Sequence, residues 1–406
     1  MIPISIVSNN IIFLRIINFL KENQSSLFDY KGSLFLEIFK IIYVKNIVFL
    51  SEKMILFFLV EKKEFCIFAF NCILNNIGAK NSQRVFSFGL CPQKRDCMKA
   101  IFLDRNTLSS HMELSIPQGV TQWVIYESTR PEEVITHLAE ADIAITNKVK
   151  IRREHLEQLP QLKLIQLTAT GMDNIDTQAA KELGVTVRNV VGYSTESVAE
   201  HFFMLMLASL RGLKPYHTAV ETGVWQADGR FCLTEPTLLD LHTRTLGIIG
   251  VGHIGKAITE RAKAFGMRVL WAEREGKAPR NSDYTPFDQV LAQSDVLSLN
   301  CPLTPETHHL ICERTLAKMQ RKPLLINVAR GAVVDPQAVY DALQQDKLLG
   351  FATDVFEQEP PRKDDPLMQL AQHPRVLLTP HVAWASQYAL DKLWKKVKEQ
   401  IEQFIQ

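Results

Sequence analysis

Arg330 in Asn-Val-Ala-Arg-Gly, Glu359 in Asp-Val-Phe-Glu-Gln-Glu-Pro and His381 in Thr-Pro-His-Val-Ala-Trp are a cation, a carboxylate and an imidazole. Each follows a short apolar run that reads as a buried strand, at 324–329, 351–356 and 376–379. In an open parallel sheet, ligands bind beyond the carboxyl ends of the strands, so the three side chains are expected to converge there. Arg330 offers a planar fork for the carboxylate and carbonyl oxygen of a 2-oxo acid, which a lysine cannot copy. His381 can give a proton to a developing alkoxide, and Glu359 can orient the imidazole and favour its charged form. Taken singly, each has a duller reading as a solvated or structural residue. Together, on successive strand ends, they suit reduction of a 2-oxo acid.

A hydride donor must lie beside them, and the sequence upstream offers a place for one. Gly250-Val-Gly252-His253-Ile254-Gly255 follows the apolar run 246–250 and opens a segment with Ile254, Ile258, Ala262 and Phe265 on one helical face. Gly266 stops that helix, and a second strand over 267–272 ends at Glu273. Gly250 permits the tight turn, Gly252 lets backbone approach a pyrophosphate, and Gly255 lets helix and strand pack closely. His253 is expected to contribute only its backbone amide. Glu273, eighteen positions beyond Gly255, is placed to accept hydrogen bonds from the adenosine ribose, which favours NAD. Arg274 beside it keeps NADP possible.

These motifs resemble the D-isomer-specific 2-hydroxyacid dehydrogenases. The resemblance runs from Met98 to the C-terminus and includes Ala169-Thr-Gly-Met-Asp-Asn-Ile-Asp176, Tyr193-Ser-Thr-Glu-Ser-Val-Ala-Glu-His201, the glycine fingerprint, Cys301-Pro-Leu-Thr-Pro-Glu-Thr307 and the Arg, Glu and His motifs in family order. Trp384 looks like the glycerate dehydrogenase and hydroxypyruvate reductase branch. The resemblance implies that the amides of Thr170 and Gly171 grip the substrate carboxylate together with Arg330, and that Asp354 bonds the nicotinamide carboxamide. It further implies cofactor contacts at Thr195, Ile254, Cys301, Pro302, Thr307, Val328 and Ala329, and a homodimer. Hydroxypyruvate is then the expected substrate, with glyoxylate second and another small 2-oxo acid as the alternative. Dinucleotide-sensing binding proteins share the same three residues, so the motif set leaves that alternative open.

The elements that position these residues read as two doubly wound parallel-sheet α/β domains with a cleft between them. Strands at 100–103, 123–126, 143–146, 164–167 and 185–188 alternate with helical stretches, a flavodoxin-like substrate domain over 98–197. A Rossmann NAD-binding domain is expected over 198–382, with residues 383–406 returning to the first domain through an amphipathic helix at about 387–404. The apolar segment 198–210 is too short to span a bilayer and suits an interdomain helix. Residues 225–245 read as an irregular arm.

Residues 1–97 form an atypical extension that stands apart. They hold 13 of the 22 phenylalanines and carry 12 Lys and Arg against 7 Asp and Glu, without sustained periodicity. The remaining 309 residues have 34 against 37, so the small positive charge of the whole chain belongs to the extension and nucleic-acid binding gains no support. The apolar runs of the extension are broken by charges, and its start lacks a secretory pattern. Its composition resembles translated AT-rich noncoding DNA upstream of a start at Met98; a poorly packed extension and a peripheral membrane contact are the alternatives. With no Cys-x-x-Cys, cysteine usage fits a reducing cytoplasm. His201, His217, His242, His308, His309 and His373 show no metal-type spacing, and no metal is expected.

Overall fold

The computed structural model describes residues 55–60, 64–69, 84–87 and 98–406. The chain divides into two compact units, Met1–Cys97 and Met98–Gln406. In the first, Ile55–Val60 pairs antiparallel with Glu64–Ala69, and Arg84–Ser87 is a third strand. The expectations for the extension otherwise fall outside the described residues.

The second unit is built on two parallel sheets. The first contains β1 (Met98–Phe102), β2 (Val120–Ile125), β3 (Ile143–Thr146), β4 (Leu164–Leu167) and β5 (Thr186–Arg188). Their order, β2-β1-β3-β4-β5, is the flavodoxin-like arrangement expected from the alternating pattern. The second contains β6 (Thr245–Ile249), β7 (Arg268–Ala272), β8 (Tyr284–Thr285), β9 (Val296–Leu299), β10 (Leu324–Asn327), β11 (Gly350–Thr353) and β12 (Val376–Leu378). Its order, β8-β7-β6-β9-β10-β11-β12, reverses direction at β6, where the first crossover switches sides. That switch point is where a doubly wound sheet opens a crevice for a dinucleotide.

Both central strand sets are mostly apolar because helices cover both sheet faces. All residues of β3, β6, β9, β10 and β11 are buried. The helix Thr195–Leu210 packs Phe202, Leu205 and Met206 into the same core as Ile248, Leu324 and Ile326 of the second sheet. The C-terminal helix Gln387–Ile405, capped by Ser386, turns Leu390, Leu393, Trp394, Val397 and Ile401 inward at spacings of three and four. That face joins Phe102, Trp123 and Leu164 of the first sheet, and the Trp394 and Phe102 rings stack with centroids 6.2 Å apart. The chain therefore leaves the first sheet once and returns to it once. Trp384, just before the return, contacts both the second-sheet and the first-sheet cores. Residues 225–244 are irregular apart from the end of the helix Val224–Asp228 and the turn Leu241–Thr243, and Thr245 already opens β6. Among the described residues, no helix is long and apolar enough to cross a membrane.

Candidate active site

The loops at the carboxyl ends of β10, β11 and β12 bring the cation, the carboxylate and the imidazole into one region. His381 Nδ1 lies 2.6 Å from Glu359 Oε2, and the other oxygen of Glu359 accepts the Phe356 amide at 3.1 Å. Burial pushes the Glu359 carboxyl up, but the hydrogen bond and charge of His381, the Phe356 amide and the charge of Lys148 outweigh it and hold the group below its ordinary value. Arg330 joins this pair through its neighbour. A side chain on Gly331 would lie 1.9 Å from the Phe356 carbonyl carbon, so only glycine lets the Arg330 loop lie directly on the loop that carries Glu359. Asn327, at the end of β10, fixes the turn by donating to the Arg330 carbonyl at 2.9 Å and accepting the Ala329 amide at 3.0 Å. Val328 and Ala329 are buried at its base.

Across the cleft, the loop after β4 meets the guanidinium. Arg330 Nε donates to Asp173 at 3.2 Å, and a side chain on Gly171 would lie 2.1 Å from Arg330 Nη2. The Thr170 hydroxyl donates to the Val190 carbonyl at 2.8 Å. Among the described residues, neither the Thr170 nor the Gly171 amide has a protein acceptor, so both are free beside Arg330. The arrangement offers an anion a planar fork and two backbone donors at one place.

The glycine fingerprint occupies the switch point. Gly250 has φ +94°, and a Cβ there would sit 2.4 Å from the Cys301 nitrogen; one on Gly255 would sit 2.4 Å from the Gly250 carbonyl oxygen. The turn is thus pressed against both its own helix and the Cys301-Pro302 loop. A Cβ on Gly252 would meet nothing within 4 Å. Gly252 caps the helix His253–Ala264, whose first-turn amides, from His253, Ile254 and Gly255, face that open space and suit a pyrophosphate. Thr307 ties the adjoining loop by donating to the Pro302 carbonyl at 2.7 Å, and burial pushes the Cys301 thiol up to about 11. Thr195 opens the helix Thr195–Leu210, and the neighbouring Glu196 pairs with Arg261 of the fingerprint helix.

Two residues expected to contact the cofactor already have protein partners. Asp354, only 1% exposed, accepts the Thr379 hydroxyl at 2.6 Å and the Val382 and Ala383 amides at 2.9 and 2.8 Å. Its carboxylate thereby ties down the loop carrying His381. His201 Nε2 adds a contact to Thr379 at 3.0 Å, and Trp384 Nε1 donates to the His381 carbonyl at 2.9 Å. These bonds hold His381 at φ +54°, a conformation few non-glycine residues adopt. Glu273 is likewise engaged. One oxygen accepts the Arg274 amide and Arg280 Nη2 at 2.8 and 2.6 Å, the other the Arg280 amide and Nε at 3.0 and 2.8 Å. The Arg280 hydrogen bond dominates in lowering its pKa to about 2. Four donors fill the acceptor positions of a carboxylate, so a ribose hydroxyl must displace Arg280.

Lys148 was not singled out by sequence, although it lies just beyond β3, the same strand-end position that marked the others. Asp104, at the end of β1, accepts the amides of Asn147 and Lys148, the latter at 2.6 Å, and fixes this loop. Solvent-accessible but crowded, Lys148 has its ammonium held down by desolvation, while the charge of Glu359 pulls it back up and that of Arg330 adds to the lowering. His308 and His309, given no metal-type spacing by sequence, come together with Glu357.

Residues 203–383 match the NAD binding domain of the D-isomer specific 2-hydroxyacid dehydrogenases. A putative 2-hydroxyacid dehydrogenase of Haemophilus influenzae is 42% identical over 310 residues, covering 76% of this chain and 98% of that protein. The chain belongs to the D-isomer-specific 2-hydroxyacid dehydrogenases. A family member named glycerate dehydrogenase, from Methylorubrum extorquens, is 41% identical over 309 residues, covering 76% of this chain and 96% of its own. The solved D-lactate dehydrogenase of Aquifex aeolicus, complexed with NAD and lactic acid, superimposes with a TM-score of 0.63 at 30% identity, over 76% of this chain and 95% of that one. Membership makes this 2-hydroxyacid dehydrogenase an oxidoreductase using NAD, and the open space over Gly252 fits that cofactor.

Proposed function

We propose that this dehydrogenase reduces hydroxypyruvate to D-glycerate, and glyoxylate to glycolate more slowly. The observation that carries the reading is the 2.6 Å contact between His381 and Glu359 beside the Arg330 loop. Bound NADH supplies the hydride to C2 of the substrate. Arg330 holds the carboxylate and polarises the carbonyl oxygen, and the Thr170 and Gly171 amides hold the other side of the carboxylate. His381 gives its proton to the forming alkoxide while Glu359 keeps the imidazole oriented; in the reverse direction His381 is the base. Lys148 adds positive potential for an anionic substrate. Closure of the cleft between the two sheets excludes water during transfer. The preference for hydroxypyruvate is supported by Trp384, which braces the His381 loop, and by the glycerate dehydrogenase name of one relative and the hydroxypyruvate reductase name of another, from Blautia hydrogenotrophica, at 32% identity.

We assign the working form as a homodimer in the cytoplasm. Phe231 is 95% exposed within a segment that also exposes Leu213, Val220, Val224, Trp225 and Leu238, an apolar surface suited to a second copy. Cys232, Cys301 and Cys312 are free thiols, as a reducing compartment allows.

The test is NADH oxidation with hydroxypyruvate, glyoxylate and pyruvate at equal concentration. Hydroxypyruvate should turn over fastest, and His381→Asn should lower that rate by about 10²- to 10⁴-fold with NADH still bound. Faster turnover with pyruvate rejects the substrate, and a His381→Asn enzyme at half the normal rate rejects the proton donor.

A further inference from the structure

His308 and His309 are consecutive, and consecutive side chains of an extended chain point to opposite sides. Here they do not. His309 adopts φ +48°, and its ring stacks on that of His308 with centroids 4.1 Å apart and planes 29° from parallel. Both rings face Glu357: Oε1 lies 3.2 Å from Nε2 of His309 and 3.9 Å from Nε2 of His308. One ligand atom from each of the three residues lies within 4.8 Å of the others.

The geometry points to a binding site for a divalent transition-metal ion of the zinc class, held by His308, His309 and Glu357. A tetrahedral ion with bonds of about 2.1 Å has its ligand atoms about 3.4 Å apart, and the two separations from Glu357 bracket that value. Two imidazoles and a carboxylate suit zinc, cobalt or nickel, whereas magnesium and calcium favour all-oxygen ligands. An ion pair between His309 and Glu357 would need neither the left-handed backbone nor the second imidazole. Both supporting loops are also fixed without an ion. The His309 amide donates to the Ala332 carbonyl at 2.8 Å, the Ile311 amide to the Val333 carbonyl at 3.1 Å, and Gly331 lies directly against Phe356 and Glu357. The exposure of His308 and Glu357 leaves a fourth position for water. An ion there would join the loop after β9 to the loop that continues to Glu359, beside the turn carrying Arg330, without touching the hydride site.

The experiment uses the full chain, titrated with zinc chloride by calorimetry and with cobalt chloride by visible absorption. His309→Asn is the informative variant because asparagine tolerates the left-handed backbone; Glu357→Gln is the conservative partner, and exposed His308→Ala covers a folding failure in either. The wild type should bind one equivalent of zinc that each variant weakens by at least about 10²-fold, more than the loss of a supporting contact to a ligand. The cobalt spectrum should show tetrahedral bands that the same variants abolish, while NADH-dependent turnover in the absence of added metal persists. His381→Asn, which removes another histidine paired with a carboxylate, should retain this equivalent. Identical isotherms for the wild type and the three variants, or loss of zinc in His381→Asn alone, overturns the assignment.

Discussion

Alanine at position 331 tests how the site is put together, because it adds one methyl group and removes no functional one. That methyl would lie 1.9 Å from the Phe356 carbonyl carbon, 2.1 Å from its oxygen and 2.2 Å from the Glu357 nitrogen. All three are backbone atoms, so no rotamer change relieves the clash. To reach the 3.4 Å at which ordinary contact begins, the two loops must part by about 1.5 Å. Arg330 precedes this point on one loop and Glu359 follows it on the other, so the guanidinium moves relative to the His381–Glu359 pair. A misplacement of about 1 Å costs on the order of 10²-fold in rate, so kcat/KM with hydroxypyruvate should fall by about 10²-fold or more. Overpacking should also cost about 1–3 kcal/mol of stability, leaving the fold intact. NADH affinity, set by the separate turn at Gly250, should change by less than about threefold on the same reasoning. Steady-state kinetics, NADH fluorescence titration and thermal melting separate these effects. A Gly331→Ala enzyme within threefold of wild-type kcat/KM would show that the two loops are not held in register by this contact, and the argument linking Arg330 to Glu359 would fail.

Asp354→Asn should set an amide N–H₂ against the Val382 or Ala383 amide donors and cost about 1–3 kcal/mol in urea unfolding, together with a lower kcat. Unchanged values would show that the carboxylate does not hold the His381 loop. Arg280→Ser should free Glu273 to repel a 2′-phosphate, raising the NADH-over-NADPH preference about fivefold, as expected between solvated charges. An unchanged preference would show that Arg280 does not mask Glu273. The depressed pKa of Glu359 means that its contribution to stability is present above the ordinary carboxylate value of 4.5 and is lost as pH falls through the lower folded value. The stability difference between wild type and Glu359→Gln should therefore shrink below pH 4.5; a difference that grows on acidification would reverse the sign of the linkage.

The parallel sheets were legible because apolar runs bounded by glycine and charged residues repeat with helical segments between them. Arg330, Glu359 and His381 were legible because each follows such a run. The protein partners of Asp354 and Glu273 were not, since they come from the Val382–Ala383 amides and from Arg280, and nothing in a strand-end carboxylate tells which returning loop will meet it. Lys148 carried the strand-end signal but lacked a distinctive neighbouring motif. The meeting of His308 with His309 depends on a left-handed backbone at a non-glycine residue, which side-chain spacing does not encode. Gly331 illustrates the same limit: the sequence shows an Arg-Gly pair, while the reason for the glycine lies 25 residues further on, at Phe356.

The anchors of the site differ in how firmly they are made, and the difference suits a binding site for an anion. Asp104 and Asp354 are buried carboxylates that gather backbone amides, so opening either loop would strand a charge away from water. Arg330 is held across the cleft by Asp173 through an ion pair whose side chains are 36% and 62% exposed. Such exposed pairs contribute only about 0–1 kcal/mol. In the proposed function a substrate carboxylate would present the same chemistry as Asp173 and gain the free Thr170 and Gly171 amides as partners, so it could take over the guanidinium at little cost. The loops that fix the geometry are thus closed by the strong contacts, and the contact that a substrate would replace under the proposed function is the weak one.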